Sequence, residues 1–342
     1  MRFLVTMVLV MGLLTTGWGG AVFLQSGRPT LSSQWIADAY AIKTAAAQKI
    51  AGAKILIVSG SSALFGVDSK LLADALGLPV VNYGVNGGLL LPYVLLKSQS
   101  VLNPGDVVIM PLEYHFYTYD GIPNVQMIDQ IWSRDPTFFG RLNFSEQVRM
   151  VWMVSFERML EGFWARGGAA TMCGPYGYRN IDENGDQMHT SAVEAVQWAG
   201  DWERSKKDLP RRYGRQGHHP EAWTWLERYW RWAKGNGIRV IVMPPPMMDD
   251  PICRNDPHEL RFYQGLKIKV EAFGVSFVGN PYDYMYHRRY FFNTHYHLND
   301  EGRAENTRRM IKDLIMHGYT NSTLSPTSRT PIGASACNSA VG

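Results

Sequence analysis

Lys54-Ile-Leu-Ile-Val-Ser-Gly-Ser-Ser62 decides the fold, because an apolar run ending in Gly-x-Ser places a hydroxyl at the mouth of a buried parallel strand. Ser62 is thereby a candidate nucleophile, with a helix N-cap as the other role serine often takes after a strand. Downstream, Val67 to Leu76 has helical spacing and stops at Gly77, a C-cap. Pro79-Val-Val-Asn82-Tyr reads as a second strand, and Gly84-Val-Asn-Gly87-Gly88 as a loop whose glycines permit positive φ and close backbone approach. A helix (Leu91 to Leu102), a turn at Asn103-Pro-Gly-Asp106 and a buried strand (Val107 to Leu112) complete a strand-helix-strand-helix-strand order, the start of a parallel α/β sheet.

From Tyr114 to about Pro220 the sheet signal fades into aromatic, loop-rich sequence with Trp132, Trp152, Trp164, Trp198 and Trp202. We read an insertion at about 118–220. The α/β pattern resumes with a helix from Pro220 to Lys234, a strand from Ile238 to Met243 stopped by Pro244-Pro-Pro246, a helix from Leu260 to Phe273 and a short strand, Val275 to Val278. The last helix runs from Asn299 to His317, with Asp300 and Glu301 favourable at its N-terminus. Residues 54–319 are thus expected to form the main domain, 26–53 a stalk with a short helix, and 320–342 a disordered tail rich in Ser, Thr, Pro and Gly.

Phe3 to Leu24 carries no charge and is long enough to cross a bilayer, which needs about 20 apolar residues. Residues 1–25 therefore form a membrane anchor or a signal segment; Gly17-Trp-Gly-Gly-Ala21 is a poor cleavage site, which favours the anchor. Arg2 before the span places the rest of the chain outside the cytoplasm, as in a periplasm, or secreted if the segment is cleaved. The 342 residues are 46% hydrophobic, ample for a core, and carry a net charge of only +4 with no basic block, which argues against a nucleic-acid partner. Three cysteines in no zinc-like spacing imply neither a disulfide scaffold nor a metal; Cys173 and Cys253 are either paired or free.

Late in the chain, Asn293-Thr-His-Tyr-His297-Leu-Asn-Asp-Glu-Gly302-Arg303 supplies a histidine just before a helix, where it can act as the base for an early serine. Asn299 competes for the helix cap, and His295 is expected on the surface. Gly60-Ser61-Ser62, Val81-Asn82-Tyr-Gly-Val-Asn-Gly87 and His297-Leu-Asn together resemble three of the four signature blocks of the SGNH/GDSL hydrolase superfamily. The resemblance covers about residues 54–115 and 238–316 and is nearest to membrane-linked relatives that O-acetylate exopolysaccharides. It implies a three-layer, flavodoxin-like parallel sheet with helices on both faces, here carrying the helical, aromatic insertion. It further implies a serine acyl-enzyme without a cofactor: Ser62 as nucleophile, His297 as base, and Ser62 with Gly87 (or Gly84) as oxyanion donors.

Two positions depart from that pattern. The third strand runs into Pro111-Leu-Glu113-Tyr114-His115 where an oxyanion asparagine is expected, leaving Tyr114 or Asn86 to replace it. The residue that orients the histidine falls on Thr294 or Asn293 instead of a carboxylate, and in a serine protease the amide analogue costs about 10⁴-fold. An acid such as Asp283 or Asp68, or a backbone carbonyl, is the alternative partner. Asn86, Glu113 and Tyr114 are candidate substrate contacts, since ligands bind beyond the carboxyl ends of parallel strands. Trp225, Tyr229 and Trp232 recur at helical spacing and are expected in the core before any sugar-stacking role.

The expectation is an extracytoplasmic acyl-ester hydrolase or O-acyltransferase acting on a cell-surface polysaccharide or an acylated small molecule, supplied by a membrane acyl-donor protein. The alternative is a catalytically weakened relative that binds glycan or scaffolds an export complex.

Overall fold

The computed structural model describes residues 1–30, 33–164, 175–207 and 212–324. Its strands are β1 (Ile55–Ile57), β2 (Val80–Asn82), β3 (Val107–Met110), β4 (Arg239–Val242), β5 (Met247–Met248), β6 (Ser276–Phe277) and β7 (Met285–Tyr286). Five of them form one parallel sheet in the order β2-β1-β3-β4-β6, the order of flavodoxin-like doubly wound folds. Ile55 pairs with Val80 on one side and Val107 on the other. Met247-Met248 pairs with Met285-Tyr286 in a separate two-stranded sheet.

Helices α1 (Arg2–Phe23) and α2 (Gln34–Lys49) precede the sheet. Between β1 and β2 lie α3 (Ser61–Gly66) and α4 (Ser69–Leu76), and between β2 and β3 lies α5 (Leu90–Gln99). The long β3–β4 connection holds α6 (Val125–Arg134), α7 (Phe144–Trp152), α8 (Phe156–Trp164), α9 (Ala192–Ala195), α10 (Ala199–Lys206), α11 (Tyr213–Gln216) and α12 (Pro220–Gly235). After β5 come α13 (Ile252–Asn255) and α14 (Pro257–Glu271), and the described chain closes with α15 (Asp300–Met316) and α16 (Asn321–Leu324).

Alternate strand residues serve two cores, as the period of two requires. Leu56, Val81, Val108 and Val242 pack with Tyr40 of α2, Val94 of α5 and Leu226 of α12. Ile55, Ile57, Val107 and Ile241 pack instead with Leu72 and Leu76 of α4 and Met310 and Leu314 of α15. Each such side chain contributes about 1.5–3 kcal/mol when taken fully out of water, which is why the strands need no polar face.

The ends of the elements follow local chemistry. Asp68 accepts from the Leu71 N–H to start α4, and Gly77 ends it at φ 72. Asn299 accepts from the Gly302 N–H, so Asn299 and not His297 caps α15. At the N-terminal edge of the sheet, Lys54 and Asp106 form a fully buried pair at 2.6 Å, and Asp106 also accepts from the Lys54 and Asn103 N–H groups.

Three expectations are corrected. The stalk is a core helix: α2 runs to Lys49, buries Ile36, Ala39, Tyr40 and Ala47, and its buried Lys43 donates to the Asn82 and Gly185 carbonyls. The glycines at 84–88 are needed for space and not for positive φ, since a Cβ on Gly84 would lie 2.6 Å from the Gly60 oxygen and one on Gly87 2.5 Å from Glu113 Oε2. The positive φ falls on Leu90, at 61°. Of the tail, residues 321–324 form α16 with Leu324 buried, and the rest lies outside the described residues.

Trp225 and Tyr229 are buried as the spacing requires, while Trp232 is half-buried. Cys253 is a buried free thiol 3.6 Å from the Tyr263 hydroxyl, and Cys173 lies outside the described residues.

Candidate active site

The carboxyl ends of β1, β2 and β3 and the loop before α15 meet the insertion around a cavity of about 640 Å³. Ser61, Gly87, Glu113, Tyr176, Asp201 and His297 are among its lining residues. The body supplies Ser61 and the late histidine, with Ser62 buried behind the wall; the insertion supplies Tyr176, Asp201, Arg204 and Ser205.

His297 is held from several directions. The loop carrying it is closed by an antiparallel bridge between Phe291 and Leu298 and by the Phe292 N–H donating to the His297 carbonyl at 2.7 Å. Thr294 Oγ1 accepts from the Tyr296 and His297 N–H groups, a side-chain turn that hydroxyl residues favour. The imidazole stacks on Phe65 of α3 with centroids 4.1 Å apart and planes 5° from parallel. That ring contact ties the late histidine to the helix that carries Ser61 and Ser62.

Asn293 orients the ring. His297 Nδ1 and Asn293 Oδ1 are 2.8 Å apart. The amide's other end donates to Asp201 Oδ2 at 3.2 Å and to the Tyr176 hydroxyl at 3.0 Å. A carboxylate accepts only, so the amide nitrogen faces Asp201, its oxygen faces the imidazole, and Nδ1 carries the proton. Nε2 is then the nitrogen with a free lone pair, the form a general base needs. Burial pushes His297 down to about 3, keeping it neutral at ordinary pH, and pushes the Tyr176 phenol up to about 12.

Asp201 is the carboxylate that sequence reasoning missed. It lies in α10, 92 positions from Asn293, on a segment with no motif, and reaches the histidine through an amide. Arg204 pairs with it from one turn on. The two acids considered from sequence are elsewhere: Asp68 caps α4, and Asp283 is exposed in the turn after Asn280. His295, expected on the surface, is buried with Nδ1 3.3 Å from Ser205 Oγ.

The two serines at the start of α3 differ. Ser61 lines the cavity and its hydroxyl donates toward Glu113 Oε1 at 3.4 Å. Ser62 is fully buried, with Oγ 3.4 Å from Ser59 Oγ, and among the described residues no hydrogen bond joins it to His297. Its backbone N–H, the expected oxyanion donor, donates to Glu113 Oε1 at 2.7 Å.

Glu113 therefore occupies the donor expected to serve an oxyanion. Its Oε2 is buried without a hydrogen-bond partner among the described residues, 3.9 Å from His115 Nε2, and presses on Gly60 and Gly87, where only glycine leaves room. Asn86 lines the cavity and uses its side chain to accept from the Gly88 N–H. Tyr114 points away: its ring packs on Tyr263 at 4.8 Å and on Phe262, in the core, and it contributes no surface to the cavity.

Among the described residues no group of three or more His, Cys, Asp or Glu is placed to hold a metal ion. The chemistry available is that of hydroxyls, a neutral imidazole backed by an amide and a carboxylate, the further imidazoles of His115 and His295, the Arg204 guanidinium, and a second carboxyl group beside a backbone donor. No family model matches this chain, and no curated protein is similar to it in sequence.

Proposed function

We propose that the chain is a serine acyl-ester enzyme of the SGNH type, anchored by α1 with its α/β body outside the cytoplasm. It hydrolyses or transfers an O-acyl group, acetyl by the resemblance, on a cell-surface polysaccharide. The observation that carries the reading is the His297–Asn293–Asp201 chain of hydrogen bonds, which leaves a neutral imidazole stacked against the helix that bears the serines. Such a chain does what a direct triad acid does, fixing the tautomer and easing the imidazolium, though an interposed amide does it less strongly. The polar cavity wall of Asn86, Asn124, Arg204 and Ser205 suits a hydroxyl-rich substrate.

In the reaction, His297 Nε2 takes the proton of the serine hydroxyl as its oxygen attacks the ester carbonyl. The oxyanion is met by the Ser62 and Gly87 N–H groups, each such donor lowering the barrier by about 3 kcal/mol. The proton then passes to the departing alcohol, and water or an acceptor sugar hydroxyl reverses the sequence. For this to run, Glu113 must first swing off the Ser62 N–H, and the buried Ser62 hydroxyl must turn from Ser59 toward His297.

Full-length protein in detergent, incubated with an activated acetyl ester and read by intact mass, tests the reading. A single acetyl adduct is expected, abolished by Ser62→Ala and by His297→Ala and retained by Ser61→Ala. Loss of the adduct with Ser61→Ala alone moves the nucleophile to the serine that lines the cavity, and its absence from the wild type removes the enzyme reading.

The Glu113 contact favours a second reading, a binding protein whose oxyanion site is permanently filled. The wild type and Glu113→Ala together separate the two: a displaceable plug gives a wild-type adduct that the variant forms faster, whereas a permanent plug gives no wild-type adduct and one only in the variant.

A further inference from the structure

We propose that the outer face of α7 and α8 lies in the membrane interface, its aromatic side chains inserted into lipid beside the point where α1 enters the bilayer. The inference depends on α1 being a membrane helix and not on the acyl chemistry.

Helix α8 carries aromatic side chains on its outer side, beside Glu157 and Glu161, although it also buries Met159 inward. It buries Arg158, 4% exposed, which donates to Gln25 and Ser133 and faces Asp129 at 3.4 Å. It exposes Phe156, Phe163 and Trp164, the last at 73%. Arginine is almost never buried without a specific tether, and a contiguous apolar patch marks a surface that something other than water covers. Helix α7 shows the same habit: Phe144, Val148 and Trp152, spaced by four and so on one stripe, are all exposed, Phe144 at 81%.

What covers that face is read from its position. Trp18, near the end of α1, donates its indole N–H to the Val151 carbonyl of α7 at 3.1 Å. Phe23 closes α1 edge-on against Trp132 and Phe139. Just beyond α1, Gln25 and the Arg28 carbonyl accept from Arg158, and the Arg28 guanidinium lies 5.4 Å from the Phe163 ring. The exit of α1 is thus clasped between α7 and α8. An apolar helix of 22 residues with no buried stretch inside the body is suited to lipid, and α7 and α8 flank its base. Tryptophan and phenylalanine at that depth belong to the interfacial belt, and an amphipathic helix there lies flat with its apolar side about 5–10 Å into the headgroup boundary. The same clasp sets the height of the cavity above the bilayer, since the insertion that carries α7 and α8 also carries Tyr176 and Asp201.

The test places single spin labels on the full chain in nanodiscs of phosphatidylethanolamine and phosphatidylglycerol. Val148→Cys and Phe156→Cys report the face, Leu9→Cys reports α1, and Ile268→Cys on α14, equally apolar and 75% exposed, is the water control. All carry Cys173→Ser and Cys337→Ser. Collision with oxygen relative to a water-soluble nickel chelate is expected to be several-fold higher at 148, 156 and 9 than at 268. Lipid-like values at 9 with water-like values at 148 and 156 overturn the proposal while leaving the anchor in place. Shielding from both probes at 148 and 156 overturns it in favour of a protein partner, and water-like values at 9 overturn it together with the anchor.

Discussion

The two ends of the parallel sheet are built on opposite terms. At the N-terminal end, Lys54 and Asp106 are fully buried, and the carboxylate accepts from the ammonium and from two backbone N–H groups. At the C-terminal end, Glu113 is equally buried, yet one oxygen takes the Ser62 N–H and the other, 3.9 Å from His115 Nε2, has no hydrogen-bond partner among the described residues. A buried charge is tolerated when every lone pair is satisfied and is costly when it is not. The first end is therefore a fastener, and the second holds a carboxyl group whose hydrogen bonds are only partly made, the arrangement from which a group can change partners.

The largest effect is expected at the fastened end. Asp106→Ala leaves Lys54 buried and unpaired, and breaking such a pair costs about 3–5 kcal/mol. Chemical unfolding of the variant should shift by that amount, whereas acetyl-adduct formation per folded molecule should stay unchanged. A loss below about 1 kcal/mol would mean that water enters this end and that the contrast between the ends is not real.

The next effect belongs to the open end. Asn293→Asp alone sets two carboxyl groups against each other across the present 3.2 Å amide contact with Asp201, so its benefit to the imidazole is offset by repulsion. Combined with Asp201→Asn, the order of acid and amide is exchanged and the carboxylate touches His297 directly. The double variant is expected to form the acyl adduct at least about 10-fold faster than wild type, a gain of about 1.4 kcal/mol in the barrier. Equal rates for the double variant and the wild type would show that the relay through Asn293 has no part in activating the base.

What could be read from sequence, and what could not, divides along similar lines. The strands were legible because burial on both faces demands unbroken apolar runs, and Gly77 and Asn299 were legible as caps because backbone ends need specific partners nearby in the chain. The approach of Ser61, Gly87 and His297 to one cavity follows from strand order and the rule that ligands gather at carboxyl ends, whereas the burial of Ser62 behind that wall was not legible. Asp201 was hidden because its contact is made across 92 residues through a helix with no pattern of its own. The direction of Tyr114 was hidden because residues next to each other after a strand face opposite ways: Glu113 turns to the cavity, and Tyr114 to Tyr263 and Phe262. Helix α2 read as a stalk because its alanine-rich face, with Ala39 and Ala47 buried, has little apolar contrast, although small residues are what let a helix approach the sheet closely.

The smallest effect is one of pH, and it too separates the ends. Burial holds His297 down to about 3 in the folded chain, against about 6.5 when unfolded. Between those values the unfolded chain binds the proton and the folded one does not, so stability is complete above about pH 6.5 and is lost as pH falls toward 3. From pH 7 to 6 the loss from this one group is on the order of 0.5–1 kcal/mol. The slope of unfolding free energy against pH should therefore flatten in His297→Gln relative to wild type. Identical slopes would mean that the imidazole is already hydrated in the folded chain, and that the open end is wetter than its buried Asn293 and Glu113 imply. For the enzyme reading the same depression removes any histidine limb between about pH 5 and 8 from the wild-type adduct rate. The double variant of Asn293→Asp with Asp201→Asn, by placing a negative charge beside the imidazole, should bring that limb back toward neutrality. A wild-type limb near about 6.5 would place the base in a wetter setting than the Phe65 stack provides.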